Sequence, residues 1–485
     1  MPAIRFVGPK RLKRAVLQSG RNQGLFVVSF CPVRCLPSCR RVLNSVRGSF
    51  VRISRLGRFC CVCALATTAF GVHTNSAFGA DYSISAYGTV GYSRSDQPFT
   101  YDQFIDNRGT FRHDTVAGVQ FDSRLSNSFG ATAQVVGQPA SEGDRRYRAA
   151  VAWAFLSWRP SGDWLFRLGK QRIPLYLYSQ TYNVGVTYDF VRPPIEMYSI
   201  SPNNDYVGVS FGKTWNMDAD EVSLEGNWGN TSIDSRVWTR DDIPGVQTAA
   251  ASYRHLVAKG VAISLSYKRD DSTYRAGIYR SALVGRNGET IGVAFPFVTL
   301  MPGVGYYQPS SLLPGPGVPQ IRQIDYSVLS LGADINVGSG FRVVGEFARS
   351  VSNKTDFNET ANRGYMSLLK QFDRWTPYVF ASAVKSAQGP LDLNRAVNSN
   401  TVPAFVPGAA FINASQRAAA DQIRVQDQHS LAIGVSYRIT VTQKLKAELM
   451  RVRIGRVSSL VDSPSGMDVN SKRINVASMS YSFAF

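Results

Sequence analysis

Beyond residue 80 the chain is poor in groups for covalent or metal chemistry. His113, His255 and His429 are its imidazoles there, and the six cysteines, Cys31, Cys35, Cys39, Cys60, Cys61 and Cys63, all lie earlier. The C-x3-C-x3-C run at 31 to 39 has the look of thiolate ligation, but no histidine stands nearer than His73. No phosphate-binding glycine loop or nucleophile elbow sits in a supporting strand-to-helix context. A hydrolase with His113 or His429 as base is an alternative, although no serine is singled out beside either. We therefore expect no cofactor, no metal and no enzyme. Chargeable and aromatic side chains crowd instead into one stretch, Arg167 to Tyr198, which reads R-L-G-K-Q-R-I-P-L-Y-L-Y-S-Q-T-Y-N-V-G-V-T-Y-D-F-V-R-P-P-I-E-M-Y.

The elements that must carry this stretch are strands. The last ten residues put Ala477, Met479, Tyr481, Phe483 and Phe485 on one face and Ser478, Ser480, Ser482 and Ala484 on the other. The same period of two recurs upstream. Ala117, Val119, Phe121 and Leu125 alternate with Gly118, Gln120, Asp122 and Arg124. Leu329 to Val337 and Leu431 to Ile439 behave alike. Such patterning suits a lipid-facing exterior and a wet lumen.

Short connections (125–127, 159–163, 215–220, 270–272, 338–339, 373–374, 440–442) alternate with long ones (95–109, 139–148, 173–204, 231–260, 283–324, 353–359, 387–427, 456–469). Seven short and eight long connections predict an all-β, up-and-down antiparallel transmembrane barrel of about sixteen strands. Two places resist the count. A further strand is legible at Ala249 to Lys259, and we place it inside the fourth long connection. Between Leu445 and Ile454 the apolar face changes phase, which predicts a bulge. If both readings fail, eighteen strands become possible. The Pro-rich connection 283–324 is unusually apolar and is expected either to pack over the barrel mouth or to serve subunit contact.

The formal charge of +20 is not a nucleic-acid footprint. Residues 1–80 hold thirteen Lys or Arg and no acid, leaving 41 basic against 34 acidic side chains downstream, a surplus of about +7. Arg52, Arg55 and Arg58 precede an apolar run from Phe59 to Val72 and then small residues to Ala80. This is the layout of a cleaved secretory signal at 51–80, ahead of a barrel domain at 81–485. Residues 1–50 read as a basic extension or a misassigned start. A cysteine-free body suits export into an oxidising periplasm.

On this layout and on the segment Arg167 to Tyr198, the chain resembles the Gram-negative outer-membrane porin superfamily. In those barrels the fifth strand ends in a basic, glycine-containing segment and the third loop folds into the pore. The resemblance implies a homotrimer in outer-membrane lipid that passes small hydrophilic solutes or ions by diffusion. It also implies a constriction where loop carboxylates oppose wall arginines and set a transverse field. Carried onto this sequence, Asp189 and Glu196 are the acids, and Arg124, Arg167, Arg172 and Arg192 the bases. Tyr176, Tyr178, Tyr182 and Tyr188 are eyelet aromatics or loop anchors. Tyr481, Phe483 and Phe485 resemble the signal read by the barrel assembly machinery. The basic surplus tilts the expectation toward anions. A surface barrel acting as adhesin or structural protein is the alternative.

Overall fold

The computed structural model describes residues 81–140, 147–198, 205–243, 245–246, 248–292, 294–308, 320–356 and 359–485. The expected extension (1–50) and signal (51–80) lie outside the described residues.

Period-two sequence becomes a closed barrel of sixteen antiparallel strands. In chain order these are β1 (Asp81–Ser95), β2 (Val116–Arg124), β3 (Phe129–Pro139), β4 (Tyr147–Trp158) and β5 (Trp164–Arg172). They continue with β6 (Asp205–Met217), β7 (Asp220–Thr239), β8 (Ala250–Arg269), β9 (Ser272–Gly285), β10 (Gln323–Gly338) and β11 (Phe341–Asn353). The circuit ends with β12 (Ala361–Lys370), β13 (Trp375–Ser386), β14 (Gln426–Thr440), β15 (Gln443–Ser458) and β16 (Arg473–Ala484). Every strand pairs with its sequence neighbours, and β1 meets β16 with Tyr87 opposite Ala484 and Val90 opposite Tyr481. Closure leaves no free edge, so every strand finds backbone partners on both sides.

Outward positions carry an apolar belt that no protein covers: Val119, Leu156, Leu168, Ile263, Leu331, Leu431 and Leu449 are all exposed. A belt of that kind around a closed barrel requires lipid. At the short-turn end the belt is bordered by aromatics, among them Phe129, Trp158, Phe166 and Trp164 in successive ring contacts, and Trp375 against Tyr437 at 4.5 Å. This is the interface girdle expected of a membrane barrel.

Two sequence readings need correction, and one connection holds elements that were not read. From Ala250 on, the segment Ala249 to Lys259 is the upper half of β8, which pairs residue for residue with β7 from Asp220 opposite Arg269 up to Thr239 opposite Ala250. The fourth connection is thus 240–249, and the hairpin stands well above the apolar belt, where polar residues on both faces hide the alternation. The change of phase at Leu445 to Ile454 is likewise no bulge, because β15 keeps register with β16 through this stretch. Lys446, Glu448, Met450, Val452 and Ile454 all point inward, while Arg451 and Arg453 point outward above the lipid. Hydrophobicity changed faces; geometry did not. Finally, the seventh connection holds two helices the alternation did not announce, α1 (Gln388–Ser399) and α2 (Ala409–Gln422). Alanine-rich sequence favours helix, and Ala414, Ala418, Ala419 and Ala420 are buried on α2.

These helices are the seat of a cap at the long-loop end. Ile243 of the β7–β8 tip packs on Ala414 and Ala418, and Arg240 pairs with Asp421 at 2.6 Å. Arg417 pairs with Asp241, and Arg236 with Asp462 of the last long connection. Of the two alternatives for 283–324, packing over the mouth describes Phe295, which joins Leu391, Val397 and Ile423 of this cap.

Candidate pore constriction

After β5 the chain runs Ile173-Pro174, and proline ends the ladder. The third loop that begins there is too apolar to lie in water: Leu175, Tyr176, Tyr178, Phe190, Ile195, Met197 and Tyr198 are all buried. The loop satisfies itself by folding into the barrel against inward residues of the wall, including Val328, Val344, Leu369, Phe380, Val452 and Ile474. Burial would strand its backbone groups without partners, and wall side chains supply them. Ser330 Oγ donates to the Leu175 carbonyl at 3.0 Å, and Arg275 donates to that of Tyr176 at 3.0 Å. The Leu177 N–H donates to Glu346 at 2.8 Å, and the Val191 N–H to the Tyr378 hydroxyl at 3.2 Å. Lys446, 1% exposed, donates to the carbonyls of Gly185 and Phe190 at 2.6 and 2.9 Å. Gly185 lies so near the hydroxyls of Ser482 and Thr89 that a Cβ would overlap them.

The loop's own charges each take a separate wall site. Arg192 donates to both carboxylate oxygens of Asp114 at 2.7 Å and to the hydroxyls of Ser93 and Ser478 at 2.5 and 2.7 Å. Asp114 also meets His113 Nδ1 at 2.8 Å, and His113 Nε2 meets Asp102 at 2.8 Å. The result is a chain of alternating charge that ties the first connection to the third. Burial works against the His113 cation, but the two flanking carboxylates outweigh it and push its pKa up to about 9. Asp189 accepts from Lys444 at 2.7 Å and Arg342 at 3.4 Å. Burial disfavours its charge, yet Lys444 leads the effects that hold it below the usual carboxylate range. Glu196 is fully buried and accepts from Gln428 at 2.8 Å, Ser430 at 3.0 Å and Ser382.

The remaining arginines lie elsewhere. Arg172, at the loop's root, meets Asp205 at 3.3 Å and the Gln180 carbonyl at 3.5 Å. Arg167 points inward lower on β5, its guanidinium 5.3 Å from the Phe155 ring centroid. Arg124 ends β2 at the short-turn rim and is exposed. Tyr176, Tyr178 and Tyr188 are buried within the loop packing as anchors, with Tyr178 and Tyr188 rings 5.5 Å apart. Tyr182 is half-buried and stacks on Tyr198 at 5.8 Å. Tyr481 and Phe483 on β16 and Phe485 just beyond it line up along the outer face in successive ring contacts.

Those positions leave two unlike inner surfaces. On the β2 to β6 side, Gln120, Asp122, Thr132, Arg167, Ser210 and Thr214 point inward and are only half-buried. On the β11 to β16 side, inward residues including Val344, Glu346, Leu369, Tyr378 and Lys446 are sealed beneath the loop. A closed sixteen-strand circuit with its third loop folded inside decides the architecture. It is an up-and-down β-barrel of the transmembrane type.

No protein-family model matches the chain, and no curated protein does. Solved structures similar to it include an anion-selective porin from Comamonas acidovorans, at 10% identity and TM-score 0.45, covering 84% of this chain and 100% of that one. A loop-deleted form of OmpT, an outer membrane protein of Vibrio cholerae, gives 11% identity and TM-score 0.44 over 84% and 99%. OprB of Pseudomonas putida gives 11% and 0.44 over 84% and 94%.

Sequence reasoning missed most of the groups that hold the loop: Asp114 and, in this role, His113 of the first connection, and Arg342, Glu346, Lys444, Lys446 and Glu448 of the wall. Glu346 accepts from the Tyr365 hydroxyl at 2.9 Å and from that of Tyr198, and Glu448 accepts from Tyr378 at 2.7 Å. One signal was available. Lys444, Lys446 and Glu448 are charged residues at alternate positions of a strand whose other face is apolar, and a charge at an inward position needs a partner.

Proposed function

We propose that this barrel is an outer-membrane porin, passing small hydrophilic solutes or ions by diffusion past its third loop, with a preference for anions. The observation that carries the reading is the loop itself, anchored inside a lipid-belted barrel while the β2 to β6 wall keeps a polar, half-exposed inner face. Export through a cleaved signal at 51–80, insertion by the barrel assembly machinery reading Tyr481, Phe483 and Phe485, and assembly as a homotrimer belong to the same proposal. The short turns then face the periplasm and the capped end faces outward. In the constriction, Asp189, Arg192 and Glu196 act mainly by holding the loop. Arg167 and Arg124 act on permeating ions, because they stand on the half-exposed face or the rim.

The test is single-channel recording of the refolded barrel, Asp81 to Phe485, in a planar bilayer under a salt gradient. Stable steps with an anion-selective reversal potential are expected. Silence from a correctly folded barrel would overturn the pore, and a cation-selective potential would overturn the preference. Cross-linking in native membranes reads the trimer.

A further inference from the structure

At the capped end, the barrel holds a cavity of about 820 Å³, in the size range of small-molecule sites. Its walls come from the upper ends of β7 and β8, the connection after β9, the head of β10, and Gln422 and Arg424 at and beyond the end of α2. Three arginines, Arg254, Arg286 and Arg424, line it against two acids, Glu289 and Glu359. Glu359 is held by Arg424 at 3.2 Å. Arg424 also donates to Ser235 Oγ at 3.0 Å, and Arg254 donates to the Gln422 side-chain oxygen at 2.5 Å. Both guanidiniums are thus fixed at the wall by groups that themselves line the cavity.

Beneath this floor lies a fourth arginine. Two residues down β11 from the lining residue Ser352, Ser350 accepts from Arg363 Nη2 at 2.8 Å. Arg363 is 2% exposed, and its Nε and Nη1 make no hydrogen bond among the described residues. A cation sealed in low-dielectric surroundings is weakly screened, so it adds to the positive potential above it.

We propose that the cavity binds a small polyhydroxylated oxyanion: a polyol bearing one carboxylate or phosphate. Planar guanidinium forks match either group and anchor it. The neutral polar side chains that also line the cavity, among them Asn287, Thr290 and Gln320, suit the polyol's hydroxyls. Standing at the capped end, the site meets a solute before the third loop does. The inference goes beyond the pore reading, since binding requires no flux.

Titration calorimetry on the full protein extracted in detergent, with gluconate, glucose 6-phosphate and glucose as probes, tests it. At least one charged probe should bind saturably while glucose does not, and the stronger of the two identifies carboxylate or phosphate as the anchor. Removing one charge-assisted contact should weaken binding by about tenfold or more. Arg286→Ala at the exposed rim, Arg254→Gln and Arg424→Gln should each do so. Heat-resistant electrophoretic mobility reports that the variant barrels are intact. Equal binding of all three probes, no saturable binding, or unchanged affinity in the three intact variants would overturn the site. Binding by a barrel that is silent in the bilayer would overturn the pore and leave the site standing.

Discussion

The two halves of the inner wall follow one sequence rule and reach opposite environments. On β2 and β3, the half-buried inward residues Gln120, Asp122 and Thr132 bond to one another: Gln120 and Thr132 both donate to Asp122 at 2.6 Å. On β11 to β16, inward residues such as Glu346, Tyr378 and Lys446 bond to the third loop, and these three are 5% exposed or less. A polar residue facing a lumen is not thereby wet. On the first wall a lost contact is repaired by water, whereas on the second it strands a buried group.

The sharpest way to break this comparison is Arg192→Ala, which leaves the buried Asp114 carboxylate without its guanidinium. Breaking such a pair costs about 3–5 kcal/mol. We expect protease cutting within the third loop and noisy conductance in an otherwise folded barrel. Unchanged protection of the loop would show that the sealed wall does not depend on its charges. Glu346→Gln should cost less, about 1–3 kcal/mol, because the amide retains one acceptor but presents a donor to a site filled by donors. Thermal unfolding in detergent reads that loss.

The charge chain through His113 sharpens the comparison by pH. Its pKa is raised from 6.5 to about 9 in the folded protein, so the stabilisation is fully present below about pH 6.5 and is lost as pH rises through about 9. Loop protection should therefore fall between pH 7 and 10, and His113→Gln should flatten that profile. A wild-type profile already flat would refute the linkage. The smallest effect is expected on the exposed side. Arg124→Ala should change stability by no more than about 0.5 kcal/mol while moving the reversal potential toward cations.

How much was legible depends on where information sits along the chain. Strand alternation is local, so the barrel, its sixteen strands and the two faces of β16 could be read directly. Alternation failed where lipid stopped imposing it, at the β7–β8 tip and above Leu449 on β15. The charged stretch Arg167 to Tyr198 was visible, but its partners were not. Glu346 stands 148 residues from Tyr198, and Ser478 stands 286 from Arg192. No spacing rule links residues so far apart.

The sequence alone pointed to a lipid-facing barrel, because period-two strands joined by alternating short and long connections fit an up-and-down transmembrane barrel. It also marked Arg167 to Tyr198 as a charged and aromatic stretch, whose inward fold was implied only by the family resemblance. Only the tertiary structure decided which half of the wall the loop seals, which charges hold it there, and that the mouth is capped by α2 and the β7–β8 tip. Those outcomes depend on barrel closure, which brings Arg192 to Ser93 and Ser478 from nearly opposite ends of the barrel sequence.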